Sequence, residues 1–450
     1  MSWATLLDRK RVLAVVHTVV YGQRLREVCE LLAADLRVQV VFTVAPHAFN
    51  EGVAAFLMGL GGTVVPWEQA VATEFDLVLA AGSQGIEQVR GPLVRLPHGA
   101  GHLKLARALP PAGSVTGVRE QRHANSTSTS SSSSSSSSTS NGNGNGNGPR
   151  EVSGLGRNYL LWEGRPNAAA YALAHRDDLA ALERSCPEVV PIAEVVGDGD
   201  HDRILAALPR RAEFRAALGL GERERLVLLC STWGPDSVFG GLDALLPRLV
   251  RELPAGRFRT ALVVHPNVTA GHGGWQVRRW VEGVSGGTVA LVAPQTDWRP
   301  LLVAADYVIG DHGSVTLYAS LTGARILLAR FPHRNVNPDS PGVQLARTAP
   351  ALDPAHPLDR QLAYADGLYR PEAYAAIGAR ISSEPGAFLP RIRRLLYRVL
   401  DLGEPAHPAA EPPLPPPAPL FTGPDRPDGS DSDSDSRNGS RRGSGGGRWR

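Results

Sequence analysis

RVLAVVHTVVYGQRLREVCELLAADLRVQVVFTV, residues 11–44, decides the fold class. Its first ten residues are rich in β-branched side chains, which is typical of a buried parallel strand. Residues 24–36 carry apolar side chains at helical spacing, and residues 38–44 form a second strand-like run. A strand, a helix and a second strand in this order predict a parallel sheet covered by helices.

The same alternation continues along most of the chain. In the first part we expect a helix at 50–60 and strands at 63–66, 75–81 and 93–97. In the second part, strands are expected at 190–196, 225–231, 259–265, 288–292, 307–310 and 325–329. The expected helices are 171–184, 211–218, 242–253, 275–282, 298–304 and 314–321. The pattern predicts an α/β protein with two Rossmann-like, doubly wound parallel-sheet domains facing a central cleft.

Two segments lack the apolar residues that a core requires. Residues 121–149 contain a Ser/Thr tract and Asn-Gly repeats, and residues 403–450 are rich in Pro, Ser and Asp, so both are expected to be disordered. The other 373 of the 450 residues suffice for two domains. We therefore expect a first domain at 1–120, a linker at 121–149, a second domain at 150–387, a terminal helix at 388–402 and a tail.

Charge and cysteine content narrow the functional class. The 47 basic and 44 acidic residues give a net charge of +3, which does not favour nucleic acid as a partner. Cys29, Cys186 and Cys230 have no paired spacing, which indicates a reducing compartment and neither a disulfide framework nor a zinc ribbon. The sequence shows no signal-peptide layout and no membrane-spanning apolar run, so a cytoplasmic location is predicted.

The expected terminal helix at 388–402 has an apolar face and a basic face. The favoured interpretation is a helix that packs on a domain and exposes its arginines to water. The alternative is a peripheral contact with anionic lipid headgroups at the inner face of the cell membrane. The composition, with many Ala, Gly, Arg and Pro but only two lysines, is typical of a GC-rich genome.

Candidate chemical groups follow predicted strands. In LPHGAGHLKL (96–105), His98 could act as a general base toward a hydroxyl, and Gly99 and Gly101 would let the backbone approach a ligand beside Lys104. His98 could instead merely pack at a strand end. In VVHPN (263–267), Pro266 ends the strand, so that the His265 ring should project near the sheet edge.

A third group lies in ADYVIGDHGSVTLYAS (305–320), where a helix should begin near Gly313 and Ser314, after Asp311 and His312. Free amides at a helix start suit a diphosphate, and an ordinary N-cap is the alternative. A fourth group, VVGDGDHDR (195–203), favours a turn over a calcium loop. The sequence shows no phosphate-binding P-loop, no HExxH and no Cys pair, so neither a metal nor a cofactor is predicted.

In order and spacing, these segments resemble motifs of the CDP-glycerol glycerophosphotransferases of teichoic-acid assembly, a family with the GT-B fold. LPHGAGHLKL is similar to WHGTPLKKL, VVGDGDHDR to GxPRxD, and RLVLLCSTWG (225–234) to ILYAPTWR. DWRPLLVAADYVIGDHGSVTLYAS (297–320) is similar to the stretch around LLxxADxLITDYSSVxFD, and VVHPN also has a counterpart. The chain thus looks like a divergent, actinobacterial-like member with a GT-B-like architecture.

The resemblance implies roles for individual residues. His98 and His265 would be catalytic, His98 toward the acceptor hydroxyl and His265 near the donor phosphates. The implied donor-diphosphate site comprises Thr232, Asp311, His312, Gly313 and Ser314. Other implied cleft residues are His17, Gly99, Gly101, Lys104, Gly197 and Asp202, although His17 has no named counterpart and could simply pack.

Departures from the family pattern leave the donor open. Tyr318 stands where the family has an acid that suits ribose hydroxyls, and Gly234 replaces the arginine of PTWR. The leading hypothesis is a transferase of cell-envelope polymer synthesis. It would move a glycerophosphate-like or glycosyl unit from a CDP- or UDP-linked donor to a polyol or glycan hydroxyl. The alternatives are a nucleotide-sugar 2-epimerase-like enzyme and a catalytically degenerate GT-B protein that binds a nucleotide or a partner.

Overall fold

The computed structural model describes residues 8–97, 99–107, 150–409 and 413–421. The predicted linker at 121–149 and residues 422–450 of the predicted tail lie outside the described residues, as does His98.

The strands, in chain order, are β1 Lys10–Val16, β2 Val38–Val44, β3 Leu77–Ala80, β4 Leu93–Arg95, β5 Leu105–Arg107, β6 Arg150–Val152, β7 Leu161–Trp162, β8 Arg165–Pro166, β9 Ala170–Leu173, β10 Ala193–Val195, β11 Arg225–Ser231, β12 Phe258–Val264, β13 Val289–Leu291, β14 Tyr307–Gly310 and β15 Arg325–Leu328. The helices are α1 Val19–Ala33, α2 Val53–Gly59, α3 Trp67–Ala72, α4 Arg157–Leu160, α5 Arg176–Ser185, α6 Gly199–Ala207, α7 Arg211–Ala217, α8 Leu242–Glu252, α9 Pro266–His272, α10 Gly274–Ser285, α11 Trp298–Ala304, α12 Ser314–Tyr318, α13 Pro341–Thr348, α14 Leu358–Leu368, α15 Pro371–Gly378 and α16 Phe388–Val399.

The first sheet has six parallel strands in the order β10-β9-β4-β3-β1-β2. β1 pairs with β2 from Lys10 opposite Val38 and with β3 from Val12 opposite Leu77. The side chains of β1 from Val12 to Val16 are fully buried, on both faces of the sheet. This explains the uninterrupted apolar run in the sequence, because a parallel sheet is covered on both sides.

The second sheet has five parallel strands in the order β13-β12-β11-β14-β15. The chain starts at β11, builds outward to β13, and then returns to place β14 on the other side of β11. The order therefore reverses between β11 and β14, where an open α/β sheet forms a crevice beyond its strand ends. Two parallel sheets with helical layers confirm the predicted fold class.

The first sheet continues beyond the predicted linker. β9 and β10 pair beside β4, although the sequence pattern suggested that everything from residue 150 belongs to the second domain. The expected helix at 171–184 is wrong at its start, because Ala170–Leu173 is a strand and the helix begins only at Arg176. A four-residue apolar run fits either structure, and its burial beside β4 selects the strand.

The terminal helix α16 packs on the first sheet. Ile392, Leu395 and Leu396 are fully buried in the same core cluster as β1 and α1. On the outer face, Arg391 pairs with Glu384 at 2.6 Å and Arg398 pairs with Glu194. The structure therefore supports the favoured interpretation, in which this helix packs on a domain. In the described ranges, no helix has the length and apolar character needed to cross a membrane.

Helix α1 begins earlier than the sequence pattern suggested. β1 ends at Val16, and Thr18 caps the helix by accepting a hydrogen bond from the backbone N–H of Tyr21 at 3.3 Å. A hydroxyl at this position satisfies a backbone donor of the first turn, so the β-branched Val19 and Val20 enter the helix. Tyr21, Arg24 and Glu27 thus lie on successive turns of α1, close to the carboxyl end of β1.

Candidate functional site

A cavity of about 740 Å³ lies between the two halves of the molecule. It opens at the carboxyl ends of the second sheet, where the strand order reverses between β11 and β14. The predicted site residues that line it are Gly99, Lys104, Thr232, His265, Asp311, His312, Gly313 and Ser314. Residues more than 200 positions apart in the sequence thus share one cavity.

Lys104 is one of the first-half cations that line this cavity. Its backbone forms an isolated antiparallel bridge with Val336 of the second half, which fixes its position. Burial lowers the pKa of the ammonium group, and the nearby Asp311 carboxylate opposes this shift. Within the described ranges, no carboxylate oxygen lies within 4 Å of Lys104 Nζ. A shielded ammonium group without a salt-bridge partner is suited to an anionic ligand.

Both carboxylate oxygens of Asp311 accept hydrogen bonds from neighbouring residues. One carboxylate oxygen accepts hydrogen bonds from the backbone N–H and hydroxyl of Thr232 at 2.8 and 3.0 Å and from the N–H of Val238 at 2.9 Å. The other oxygen accepts from the N–H of Gly313 at 3.1 Å. Asp311 therefore ties the loop after β11 to the start of α12. The hydrogen bonds between Asp311 and Thr232 thus hold this part of the cavity wall in place.

Several buried polar atoms of the cavity-lining residues have no hydrogen-bond partner among the described residues, and two of them bear on ligand binding. These two are Nδ1 of His312 and Oδ1 of Asn267, and both residues are at least nine-tenths buried. Burial and the nearby Lys104 lower the pKa of His312 to about 4, so its ring is neutral near pH 7. Unsatisfied buried polar atoms are costly, and a polar ligand in the cavity would satisfy both.

His265 is positioned by the end of β12 and the start of α9. Its backbone N–H donates to the carbonyl of Ser231 at 3.0 Å, and its Nδ1 accepts from the N–H of Asn267 at 3.1 Å. With Nδ1 accepting, the neutral ring carries its proton on Nε2. His265 is thus a hydrogen-bond donor in the cavity wall.

The first half approaches α12 closely at Gly99. A Cβ atom built on Gly99 would lie 2.5 Å from the hydroxyl oxygen of Ser314, so only glycine fits without a shift. The contact brings the glycine-rich turn of the first half against the start of α12. Because α12 has five residues, its dipole is small, and Lys104 is the stronger source of positive potential.

Four predicted cleft residues do not line the cavity. The His17 ring is fully buried at the end of β1, and its Nε2 lies 2.7 Å from the carbonyl oxygen of Gln84. Gly101, at φ = +70°, packs against Pro341, and Gly197, at φ = +95°, packs against Glu384. Asp202 accepts hydrogen bonds from the backbone N–H groups of Gly386 and Phe388. The roles of these four residues in the structure are to pack against neighbouring segments and to form turns of the chain.

A buried ionic cluster that the sequence pattern did not reveal lies in and beside the cavity wall. Arg24 pairs with Asp198 at 3.2 Å and with Asp200 at 2.9 Å, and Arg299 pairs with Glu27 at 2.6 Å and with Asp200 at 2.9 Å. We call these residues, together with Tyr318, the junction network, because they join α1 of the first half to α11 and α12 of the second.

Ion pairs within and beside the junction network keep Glu27 and Arg24 charged although they are buried. Burial alone would raise the pKa of Glu27, but Arg299 and Arg203 lower it. Burial disfavours the charged form of Arg24 as well, and the Asp200 and Asp198 carboxylates hold its pKa well above the usual value. Alternating aspartates at 198 and 200 were visible in the sequence, but their partner Arg24 is remote along the chain.

A second feature that the sequence pattern did not reveal is a set of aromatic side chains from both halves that line the cavity. We call it the aromatic wall; its members are Tyr21, His47, Phe49, Phe56 and Trp233. Phe49 follows β2 of the first sheet, whereas Trp233 follows β11 of the second, and their ring centroids are 5.3 Å apart. The Lys104 ammonium lies 5.4 Å from the Trp233 ring centroid. The aromatic wall and Lys104 are therefore adjacent.

No family model matches the chain, and no curated protein sequence matches it. Two solved structures of a variant of the wall teichoic acid polymerase TagF are similar to it. One is 12% identical over 88% of this chain and 90% of that chain, with a TM-score of 0.55. The other, soaked with CDPG, is 10% identical over 88% and 89%, with a TM-score of 0.56. At these identities the similarity shows the fold, and the chain has the GT-B architecture.

Anabaena Alr3699/HepE in complex with UDP-glucose is a more remote match. It is 13% identical over 87% of this chain and 99% of that chain, with a TM-score of 0.46, which is too low to carry a conclusion. Among the residues that the structure describes, no group of three or more His, Cys, Asp or Glu side chains is arranged to hold a metal ion.

Proposed function

We propose that this protein is a transferase that moves a glycosyl or glycerophosphate-like unit from a nucleotide-diphosphate donor to a hydroxyl acceptor. The observation that carries the proposal is Lys104, a shielded ammonium group without a carboxylate partner in a cavity between two facing GT-B halves. A diphosphate would supply the missing negative charge at this point.

The donor phosphates are proposed to lie among Lys104, His312 and Ser314. A neutral His312 with an unpartnered Nδ1 can donate that N–H to a phosphate oxygen without adding charge. Asn267 Oδ1 can accept a hydrogen bond from a hydroxyl of the donor. The donor base, CDP- or UDP-linked, stays a prediction, as does a role in cell-envelope polymer synthesis.

In the proposed reaction, a base removes the proton of the acceptor hydroxyl, and the oxygen attacks the transferred unit. The bond to the leaving phosphate breaks, and its negative charge is stabilised by Lys104 and by the Nε2–H of His265. His98 is the predicted base. It lies outside the described residues, and its neighbour Gly99 lines the cavity. A positioned base of this kind typically contributes about 10²–10⁴-fold to the rate.

The chain offers a matched pair of lysines for the test. Lys104 lines the cavity, whereas Lys10 forms a surface pair with Asp76 at 3.2 Å. Calorimetric titration with CDP, UDP, CDP-glycerol and UDP-glucose should show binding by the wild type. We expect Lys104→Met to weaken it about 10- to 100-fold, the effect of losing one charged hydrogen bond, and Lys10→Met to leave it unchanged.

Turnover separates the proposal from its alternatives. Transfer to an added acceptor, followed by mass spectrometry, should yield product only with a functional His98, so His98→Ala should lose transfer while nucleotide binding persists. Conversion of UDP-N-acetylglucosamine to its 2-epimer without an acceptor would instead identify an epimerase. Nucleotide binding without any product would indicate the degenerate binding protein.

A further inference from the structure

We propose that the acceptor is a neutral, ring-bearing glycan that binds on the aromatic wall, and not an anionic polyol-phosphate chain. This inference rests on the proposed function, because it assigns the acceptor of the same cavity. It goes beyond the donor-side assignment, which leaves polyol and glycan acceptors equally open.

The aromatic wall is built from both halves of the molecule. Phe49 and Trp233 meet at a centroid distance of 5.3 Å with their planes inclined by 55°, and His47 lies 5.9 Å from Phe49. Both Phe49 and Trp233 are partly exposed and line the cavity. Because Lys104 lies over Trp233, a molecule on this wall is next to the proposed phosphate site. The wall is therefore placed to present an acceptor to the donor.

Aromatic rings favour one chemical class of hydroxyl compound. The electron-rich ring face attracts C–H groups, and a pyranose presents a flat face of C–H bonds while its hydroxyls point outward. An open-chain polyol carries a hydroxyl on every carbon and would lose hydration against these rings without compensation. His47 adds a polar edge: its Nδ1 accepts from the N–H of Phe49 at 3.1 Å, which places the ring proton of the neutral form on Nε2.

The charges around the wall argue against a polyanion. Arg24 is held by Asp198 and Asp200, and Arg26 lies 3.4 Å from Glu30. Burial lowers the pKa of His47, which favours its neutral form. Among the described lining residues, Arg299 is likewise paired, so only Lys104 lacks a carboxylate partner, and the donor phosphates are proposed to occupy it. A chain with a phosphate in every repeat would find no further unpaired cation here.

The test measures how defined probes bind to the full chain in the absence of nucleotide. Binding is measured by calorimetry and by tryptophan fluorescence. The neutral probes are maltotriose, cellotriose and chitotriose, and the anionic probes are glycerol 3-phosphate and a short poly(glycerol phosphate). We expect at least one trisaccharide to bind, with about fivefold weaker binding in Phe49→Ala and in Trp233→Leu, the loss of one stacking contact.

Two controls separate stacking from folding. Phe49→Tyr keeps the ring and should bind as the wild type does, and Trp275→Leu removes a tryptophan that is 70% exposed and does not line the cavity. CDP and UDP affinities should stay within twofold of the wild type in Phe49→Ala. This readout shows that the donor side is intact.

Three results would overturn the inference: tighter binding of poly(glycerol phosphate) than of every trisaccharide, equal trisaccharide affinity in Phe49→Ala, or no trisaccharide binding at all. Failure of the proposed function has a different signature, in which CDP, UDP and their conjugates do not bind the wild type whatever the trisaccharides do.

Discussion

The hydroxyl of Tyr318 donates to the carboxylate of Asp198, with its oxygen 2.8 and 2.9 Å from the two carboxylate oxygens. Both side chains are almost fully buried, and Arg24 contacts the same carboxylate at 3.2 Å. Tyr318 occupies the position at which the family resemblance expects an acid. The buried acid that contacts Tyr318 is Asp198, which also caps α6 by accepting from the N–H of His201 at 2.8 Å.

Removing the Tyr318 hydroxyl should weaken the junction between the two halves. Tyr318→Phe leaves Asp198 with one donor fewer, and we expect unfolding free energy to fall by about 1–3 kcal/mol. Tyr318→Asp should cost more, because two buried carboxylates would then lie side by side. Urea denaturation measures both. The control, Tyr364→Phe, alters a ring that is 61% exposed and should change little. Equal stability of Tyr318→Phe and wild type would contradict this account.

In the absence of a ligand, the ammonium group of Lys104 should lower the free energy of unfolding. Replacing its partly buried ammonium by the similarly sized Met side chain should raise unfolding free energy by about 1 kcal/mol, because an unpaired charge is no longer shielded from water. Thermal unfolding without nucleotide checks the direction. Lys10→Met provides the matched control, and a lower melting temperature for Lys104→Met would show that the ammonium already has a stabilising partner.

Substitutions at Gly99 and Ser314 should have coupled effects on nucleotide affinity. Gly99 has an extended backbone that any residue can adopt, so Gly99→Ala acts only through the 2.5 Å approach of its Cβ to the Ser314 hydroxyl. We expect this substitution to rotate the hydroxyl away and to weaken nucleotide binding.

The double variant Gly99→Ala/Ser314→Ala provides the internal check. After the hydroxyl is removed, the nearest Ser314 atom is the Cβ at 3.5 Å, which is an ordinary contact. Gly99→Ala should therefore have no further effect in the Ser314→Ala background, and a double-mutant cycle of nucleotide affinities measures the coupling. Additive effects would mean that the two residues act separately.

Two buried histidines should make stability depend on pH. Burial lowers the pKa of His17 and of His312 to about 4, below the ordinary value of 6.5. Between these values the unfolded chain binds more protons, so unfolding free energy should decrease as pH falls from 7.5 to 5, by about 2 kcal/mol for each ring.

The share of His17 in this dependence can be isolated. His17→Gln should flatten the slope of unfolding free energy against pH, measured by urea denaturation at several pH values. His356→Gln, at a ring that is 69% exposed, should retain the wild-type slope. An unchanged slope in His17→Gln would show that its ring is protonated in the folded protein or accessible to water.

The sequence predicted the fold class and the edge of the sheet at which chemistry should lie. Strands at 225–231 and 307–310 were recognisable from their apolar runs, and parallel strands place their carboxyl ends at a common edge. His265 and the segment 311–314 follow such strands directly, so the local sequence pattern was sufficient to identify them as candidate site residues. Lys104 stood out because it is one of two lysines in the chain.

Contacts between distant segments were decided only by the tertiary structure. β9 and β10 belong to the first sheet because they pair beside β4, which no local pattern indicates. The pairing of Arg24 with Asp198, 174 residues apart, and the meeting of Phe49 with Trp233 depend on how the two halves face each other. Side-chain periodicity reports which face of an element is buried, but the partner across an interface is selected by packing and charge over the whole chain.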